Sequence, residues 1–148
     1  MLNMKVYIGA DHGGYEMKEK MRGLLAEKGY EVVDRGNFVL DTNDDYVDVA
    51  SKVAEDVMAD PQSRGVLLCR NGMGMSIVAN RFKGIRCGLG FNGESVRKGR
   101  TDDDINVLSL PADYMAIEQA VQITMLFLKT EFEKQERYVR RINKINSI

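Results

Sequence analysis

The feature that most restricts this chain is a repeated alternation. Short apolar runs of strand length are each followed by a segment whose apolar residues recur at helical spacing. The strand-like runs fall at Met4–Ala10, Glu31–Asp34, Gly65–Cys69, Arg86–Gly90 and Asn106–Leu110. Between them, Met17, Met21, Leu24 and Leu25 share one helical face, as do Val49, Val53 and Val57, and then Ile117, Val121, Met125 and Leu128. Strands that alternate with helices in this way build a parallel sheet covered on both faces, an α/β architecture. Gly29 stops the first helix, Pro61 closes the second and Pro111 lies beyond the fifth strand, so the punctuation agrees with the periodicity. With no linker and no repeat, the expectation is one domain over residues 1–148, with strand order 2-1-3-4-5. The charged segment from residue 131 to 148 forms a C-terminal arm that reaches across the surface or onto another subunit.

Composition sets the limits. A chain of 148 residues that is 44% hydrophobic can bury a core without a metal or a disulfide framework. Its 21 basic and 22 acidic residues cancel, so no global field favours nucleic acid or an anionic membrane, and any anion must be held by a local site. Cys69 and Cys87 form no CxxC pair, and a single histidine, His12, leaves no zinc pattern. The apolar run at the N-terminus is too short for a signal peptide, and nowhere do about 18 apolar residues run together. A cytoplasmic protein with reduced thiols, no membrane partner and no metal is expected. The nine methionines read as adaptable core.

Ligands of open parallel sheets bind beyond the carboxyl ends of the strands, where the winding reverses. In the expected order the loops after the first and third strands meet there, "ADHGG" and "CRNGMGMS". That brings Asp11, His12 and Cys69 together. "RNGMGMS" opens a helix with apolar positions Ile77, Ala79 and Phe82, and its backbone N–H groups offer a cradle for an oxyanion or a phosphate. It is neither a dinucleotide fingerprint nor a P-loop, since the last glycine and the Gly-Lys-Ser/Thr are missing. Cys69 reads either as a small hydrophobe ending a buried strand or as a thiolate near Arg70 acting as base or nucleophile. Cys87 reads as core. His12 takes a charged or hydrogen-bonding role, and Asp11 orients it, binds sugar hydroxyls or caps the first helix. The polar loop from Asn37 to Asp45, with Asp41, Asp44 and Asp45, is longer than a tight turn needs. Arg137, Arg140 and Arg141 make a solvated face or a fork for phosphate.

These residues resemble the ribose-5-phosphate isomerase B and galactose-6-phosphate isomerase family of aldose–ketose isomerases. The resemblance runs through "KVYIGADHGGYEMKEKM", "EKGYEVVD", "DYVDVASKVAEDV", "GVLLCRNGMGMSIVANRFKGIRC", "NVLSL" and "EFEKQERYVRRINKI". It implies a Rossmann-like three-layer sandwich, no metal or other cofactor, and a homodimer or homotetramer whose sites are shared between subunits. The implied reaction moves a proton between C1 and C2 of a sugar phosphate through an enediolate, ribose 5-phosphate to ribulose 5-phosphate by default. Cys69 then matches the base, while Gly72, Gly74 and Ser76 match the loop that holds the enediolate oxygens. Asp11, His12 and Tyr46 match substrate contacts, and Arg137 and Arg141 match the arginines that bind the phosphate.

The departures from the family pattern are equally specific. Relatives follow the cysteine with glycine and then serine or threonine, where this chain has Arg70 and Asn71. They carry the ring-opening histidine and then asparagine where this chain has Asp102 and Asp103, and a basic residue where this chain has Asp113. Asp102 and Asn71 are therefore expected in the catalytic roles, with Arg70 and Asp103 contacting substrate. The rival readings are isomerisation of a different sugar or sugar phosphate, a non-catalytic sugar-phosphate-binding homologue, and a cysteine phosphoryl carrier.

Overall fold

The computed structural model describes residues 4–148; the first three residues of the stretch read as lacking a signal peptide lie outside it. The elements run β1 (Lys5–Ala10), α1 (Tyr15–Glu27), β2 (Glu31–Asp34), α2 (Tyr46–Ala59), β3 (Arg64–Cys69), α3 (Met73–Ala79), β4 (Cys87–Leu89), α4 (Gly93–Asp103), β5 (Val107–Pro111), a 3-10 turn at Ala112–Tyr114, α5 (Ile117–Lys129) and α6 (Glu136–Asn146). All strand pairs are parallel. Two apolar layers sandwich the sheet. Val6, Ile8, Val66, Leu68, Leu108 and Leu110 pack on one face with Met21 and Leu25 of α1 and Phe127 of α5. Leu67, Cys69 and Val107 pack on the other with Val49, Val53 and Val57 of α2 and Met75 and Ala79 of α3. Alternation along β3 thus turns Cys69 to the α2 and α3 side, and a strand buried on both faces is apolar throughout.

The strand order is 2-1-3-5-4, which corrects the expected 2-1-3-4-5. Every residue of β5 is buried, so it takes an interior place beside β3. The three residues of β4 are only half-buried and form the edge, where a short strand leaves fewer unpaired backbone groups. The reversal between β1 and β3 survives this exchange. What changes is the neighbour of the β3 loop, which is now the turn after β5. The third helix is also shorter than expected: Phe82 lies beyond it, Ile77 is exposed, and Met75 joins the expected Ala79 in the core. The C-terminal arm lies back along α4, with Glu133 N–H donating to Thr101 O at 3.1 Å and Tyr138 and Ile142 buried. Among the described residues, no helix is long and apolar enough to cross a membrane.

Candidate active site

Cys69 is the last residue of β3 and is buried. The chain must turn sharply after it, and Gly72 supplies the turn with φ +75°, a left-handed conformation that side chains rarely adopt. The turn aims the Gly72 N–H at Cys69 Sγ, 3.2 Å away. Ser109 of β5 pins the turn by donating its hydroxyl to Gly72 O at 2.6 Å. Asn71 Oδ1 accepts from Met73 N–H at 2.9 Å, so its carbonyl caps the start of α3. Among the described residues, nothing accepts from the N–H groups of Gly74 and Met75, which leaves them available to an oxygen of a ligand. Gly74 admits close approach of Tyr46: a Cβ there would lie 2.8 Å from the tyrosine ring.

The β1 loop completes this side. Asp11 is buried, and its Oδ1 accepts from Gly13 N–H at 2.9 Å and Gly14 N–H at 3.2 Å. Burial lifts its carboxyl above the ordinary value, against the opposing pull of those N–H groups and of His12. Asp44 Oδ1 receives both the His12 backbone N–H, at 3.1 Å, and the ring at Nδ1, at 2.7 Å. An ionised carboxylate only accepts, so Nδ1 carries a proton and Nε2 is the free ring nitrogen. Asn37 Nδ2 holds the other Asp44 oxygen. Oxygen and nitrogen atoms of Asp11, His12 and Asp44 lie within 4.8 Å of one another, a separation that would suit a cation. The hydrogen bonds already made fit different tasks: Asp44 orients the imidazole, and Asp11 holds the Gly13 and Gly14 N–H groups at the turn into α1.

A cleft of about 330 Å³ is lined by Asp11, His12, Tyr46, Cys69, Asn71 and Gly74, with Arg70 at its side. Most of the expected site residues therefore converge. Ser76 does not line the cleft: its N–H donates to Gly72 O at 3.2 Å, and its side chain bears on Cys87. Cys87 keeps its core role, since burial pushes its thiol up to about 12. Asp102, Asp103, Arg137 and Arg141 lie elsewhere. Asp102 and Asp103 end α4, immediately before β5, at the edge of the sheet where the strands begin, and Arg137 is close to Asp102. Cys69 pairs with Pro111 at the far end of β5, so the two groups are separated by the length of that strand, roughly 15 Å. Two residues that hold cleft side chains, Asp44 against His12 and Asp113 against Arg70, were not given a site role from the sequence. Asp44 was marked only by the acidic length of its loop, and Asp113 only as a departure at a basic position.

The ribose/galactose isomerase family model matches residues 6–145. The chain belongs to this family. A putative sugar phosphate isomerase of Bacillus subtilis is 38% identical over 143 residues, covering 97% of this chain and 95% of its own. The probable ribose-5-phosphate isomerase B of Mycoplasma pneumoniae is 35% identical over 144 residues, covering 97% and 94%. Two crystal structures show how closely the ribose/galactose isomerase fold is kept. Ribose 5-phosphate isomerase of Thermotoga maritima superposes with a TM-score of 0.93 at 39% identity, covering 98% of this chain and 99% of that one. The Mycoplasma genitalium ribose-5-phosphate isomerase B with bound ribulose-5-phosphate gives 0.93 at 34% identity, covering 97% and 95%.

Proposed function

We propose that this protein is an aldose–ketose isomerase acting on a sugar phosphate, with ribose 5-phosphate and ribulose 5-phosphate as its substrate pair. The observation that carries this reading is the placement of Cys69 Sγ at the base of a cleft, beside the unoccupied N–H groups of Gly74 and Met75 and facing the His12–Asp44 pair. In the proposed reaction the Cys69 thiolate takes the proton from C2 of the open-chain aldose. The electron pair moves into a C1–C2 double bond and the carbonyl oxygen becomes an enediolate oxygen. The thiol then returns the proton to C1 and the ketose forms. Donors fixed before the reaction stabilise the enediolate without reorganising, a role that suits the Gly74 and Met75 N–H groups. In this reading the His12 ring moves protons among the sugar oxygens, and Asn71 Nδ2 donates a hydrogen bond to them.

The reading includes a homodimer, in the cytoplasm, in which a second copy supplies Asp102, Asp103, Arg137 and Arg141 to the cleft. Its support is geometric: these residues stand about a strand's length away from Cys69 in their own chain, so the cleft takes them from a second copy. Asp102, a carboxylate where an imidazole opens the sugar ring in relatives, supports a second reading, a different sugar or one that needs no ring opening.

The deciding experiment is a screen for exchange of solvent deuterium into pentose, tetrose and hexose phosphates and their unphosphorylated sugars, run on wild type and Cys69→Ala. Turnover of ribose 5-phosphate by wild type and at least a thousandfold loss in Cys69→Ala, with its circular dichroism unchanged, is the expected result. Retained exchange in Cys69→Ala rejects the base assignment, and binding without exchange in wild type rejects isomerisation.

A further inference from the structure

The exchange of β4 and β5 has a chemical result. Cys69 and Pro111 pair across neighbouring strands, so Arg70 and the 112–114 turn leave the sheet side by side. Asp113 N–H donates to Arg70 O at 2.9 Å, and Arg70 Nη1 lies 3.5 Å from Asp113 Oδ1, with both side chains largely open to solvent. Beneath them Gly13 leaves room for the arginine stem, since a Cβ there would fall 2.4 Å from Arg70 Cγ. Arg70 therefore lies over the β1 loop, next to His12.

A second cavity of about 480 Å³ opens on the far side of these two residues, and both His12 and Arg70 line it as well as the Cys69 cleft. Its other charged walls are Glu16, Lys20 and Asp113. Two fixed cations face two carboxylates there, so this chain offers an incoming anion no net field, and Arg70 is the one lysine or arginine shared by both spaces. At 3.5 Å its contact with Asp113 is longer than a full charge-assisted hydrogen bond, and an exposed pair of this kind exchanges readily.

We infer that Arg70 and Asp113 form an exchangeable ion pair at the junction of the two cavities, through which Asp113, a positioning residue, sets how strongly the site takes the anionic end of its substrate. An incoming phosphoryl group displaces the Asp113 carboxylate from the guanidinium, while the carboxylate stays close enough to oppose the dianion. Asp113 thus holds Arg70 over the junction and restrains its grip on phosphate. The inference rests on the sugar-phosphate reading above and extends it to charge selectivity.

The test uses the purified oligomer at fixed ionic strength and measures two things. One is the dissociation constant of inorganic phosphate by calorimetry; the other is kcat and KM for ribose 5-phosphate and for unphosphorylated ribose. Asp113→Asn lowers the phosphate dissociation constant and the KM for ribose 5-phosphate about fivefold, with kcat and the KM for ribose unchanged. Asp113→Glu behaves as wild type. Arg70→Met raises both phosphate-dependent constants about tenfold, and in that background Asp113→Asn has no effect. An equal shift for ribose, no shift at all, or a shift that persists without Arg70 overturns the inference. Should wild type turn over neither sugar, the functional reading fails, and the calorimetric arm still decides the role of Asp113.

Discussion

Asp11 carries opposing demands. Two glycine N–H groups hold its carboxylate at the turn into α1, and burial disfavours the same charge. Because the folded carboxyl titrates above its ordinary 3.8, the folded state holds its proton more tightly than the unfolded chain does. The stability linked to that proton is present below the ordinary value and is lost as pH rises through the folded one. Asp11→Asn keeps an oxygen for both N–H groups and removes the buried charge. Its melting temperature therefore falls less than that of wild type between pH 4 and pH 7, while kcat/KM drops because the carboxylate is missing from the cleft. A steeper fall in the variant would show that burial does not dominate at this position. The cysteine, the glycine loop and His12 were legible in the sequence because each is chemically unusual in its context. Asp44 was not, since any of three acidic residues in one loop satisfies the same pattern. Only the folded chain brings it to the His12 ring.

Lys18 shows what a single element requires. It lies on the stripe that includes Met21 and Leu25 and is fully buried, with Nζ 2.8 and 3.0 Å from the Asp34 oxygens and 2.5 Å from Asn37 O. The lysine thus ties α1 to the end of β2 and to the start of the loop that carries Asp44. Lys18→Met keeps the length and the apolar stem, takes the lysine cation away from Asp34, which among the described residues retains only the Gly36 N–H as hydrogen-bond donor, and leaves the Asn37 carbonyl without its donor. The expected cost is about 3 kcal/mol, read from the midpoint of urea unfolding. Activity measured well below that midpoint also falls, because the Asp44 loop loses its anchor. Lys18 was not singled out from the sequence, because a lysine in a charged helix reads as exposed until its partner Asp34 is in place. No signal distinguished strand order either, because β3 and β5 are both short apolar runs whose neighbours depend on how the crossover helices pack. The length of α3 was likewise hidden, since Ile77 fits a helical stripe and yet nothing in its own chain covers it.

At the scale of the molecule, Asp102 and Arg137 stand a strand's length, roughly 15 Å, from Cys69 in their own chain. Cys69→Ala and Arg137→Ala are each expected to lose turnover, the first through the missing base and the second through the missing phosphate contact. Mixed after reversible dissociation, they recover about a quarter of wild-type activity, because half of the random dimers then hold one intact site of two. If mixing restores nothing and both variants form dimers, each site is built from one chain.

The order of residues determined the class of fold, the count of strands and the local chemistry of the Cys69 loop, because periodicity, turn glycines and a thiol at a strand end are properties of adjacent residues. The tertiary structure decided which strand stands beside β3, and therefore that Arg70 faces Asp113. It also decided that His12 is held by Asp44 and that Asp102 and Arg137 stand at the opposite edge of the sheet. These are relations between residues distant in sequence, set by which buried surfaces fit together, and no local pattern encodes them.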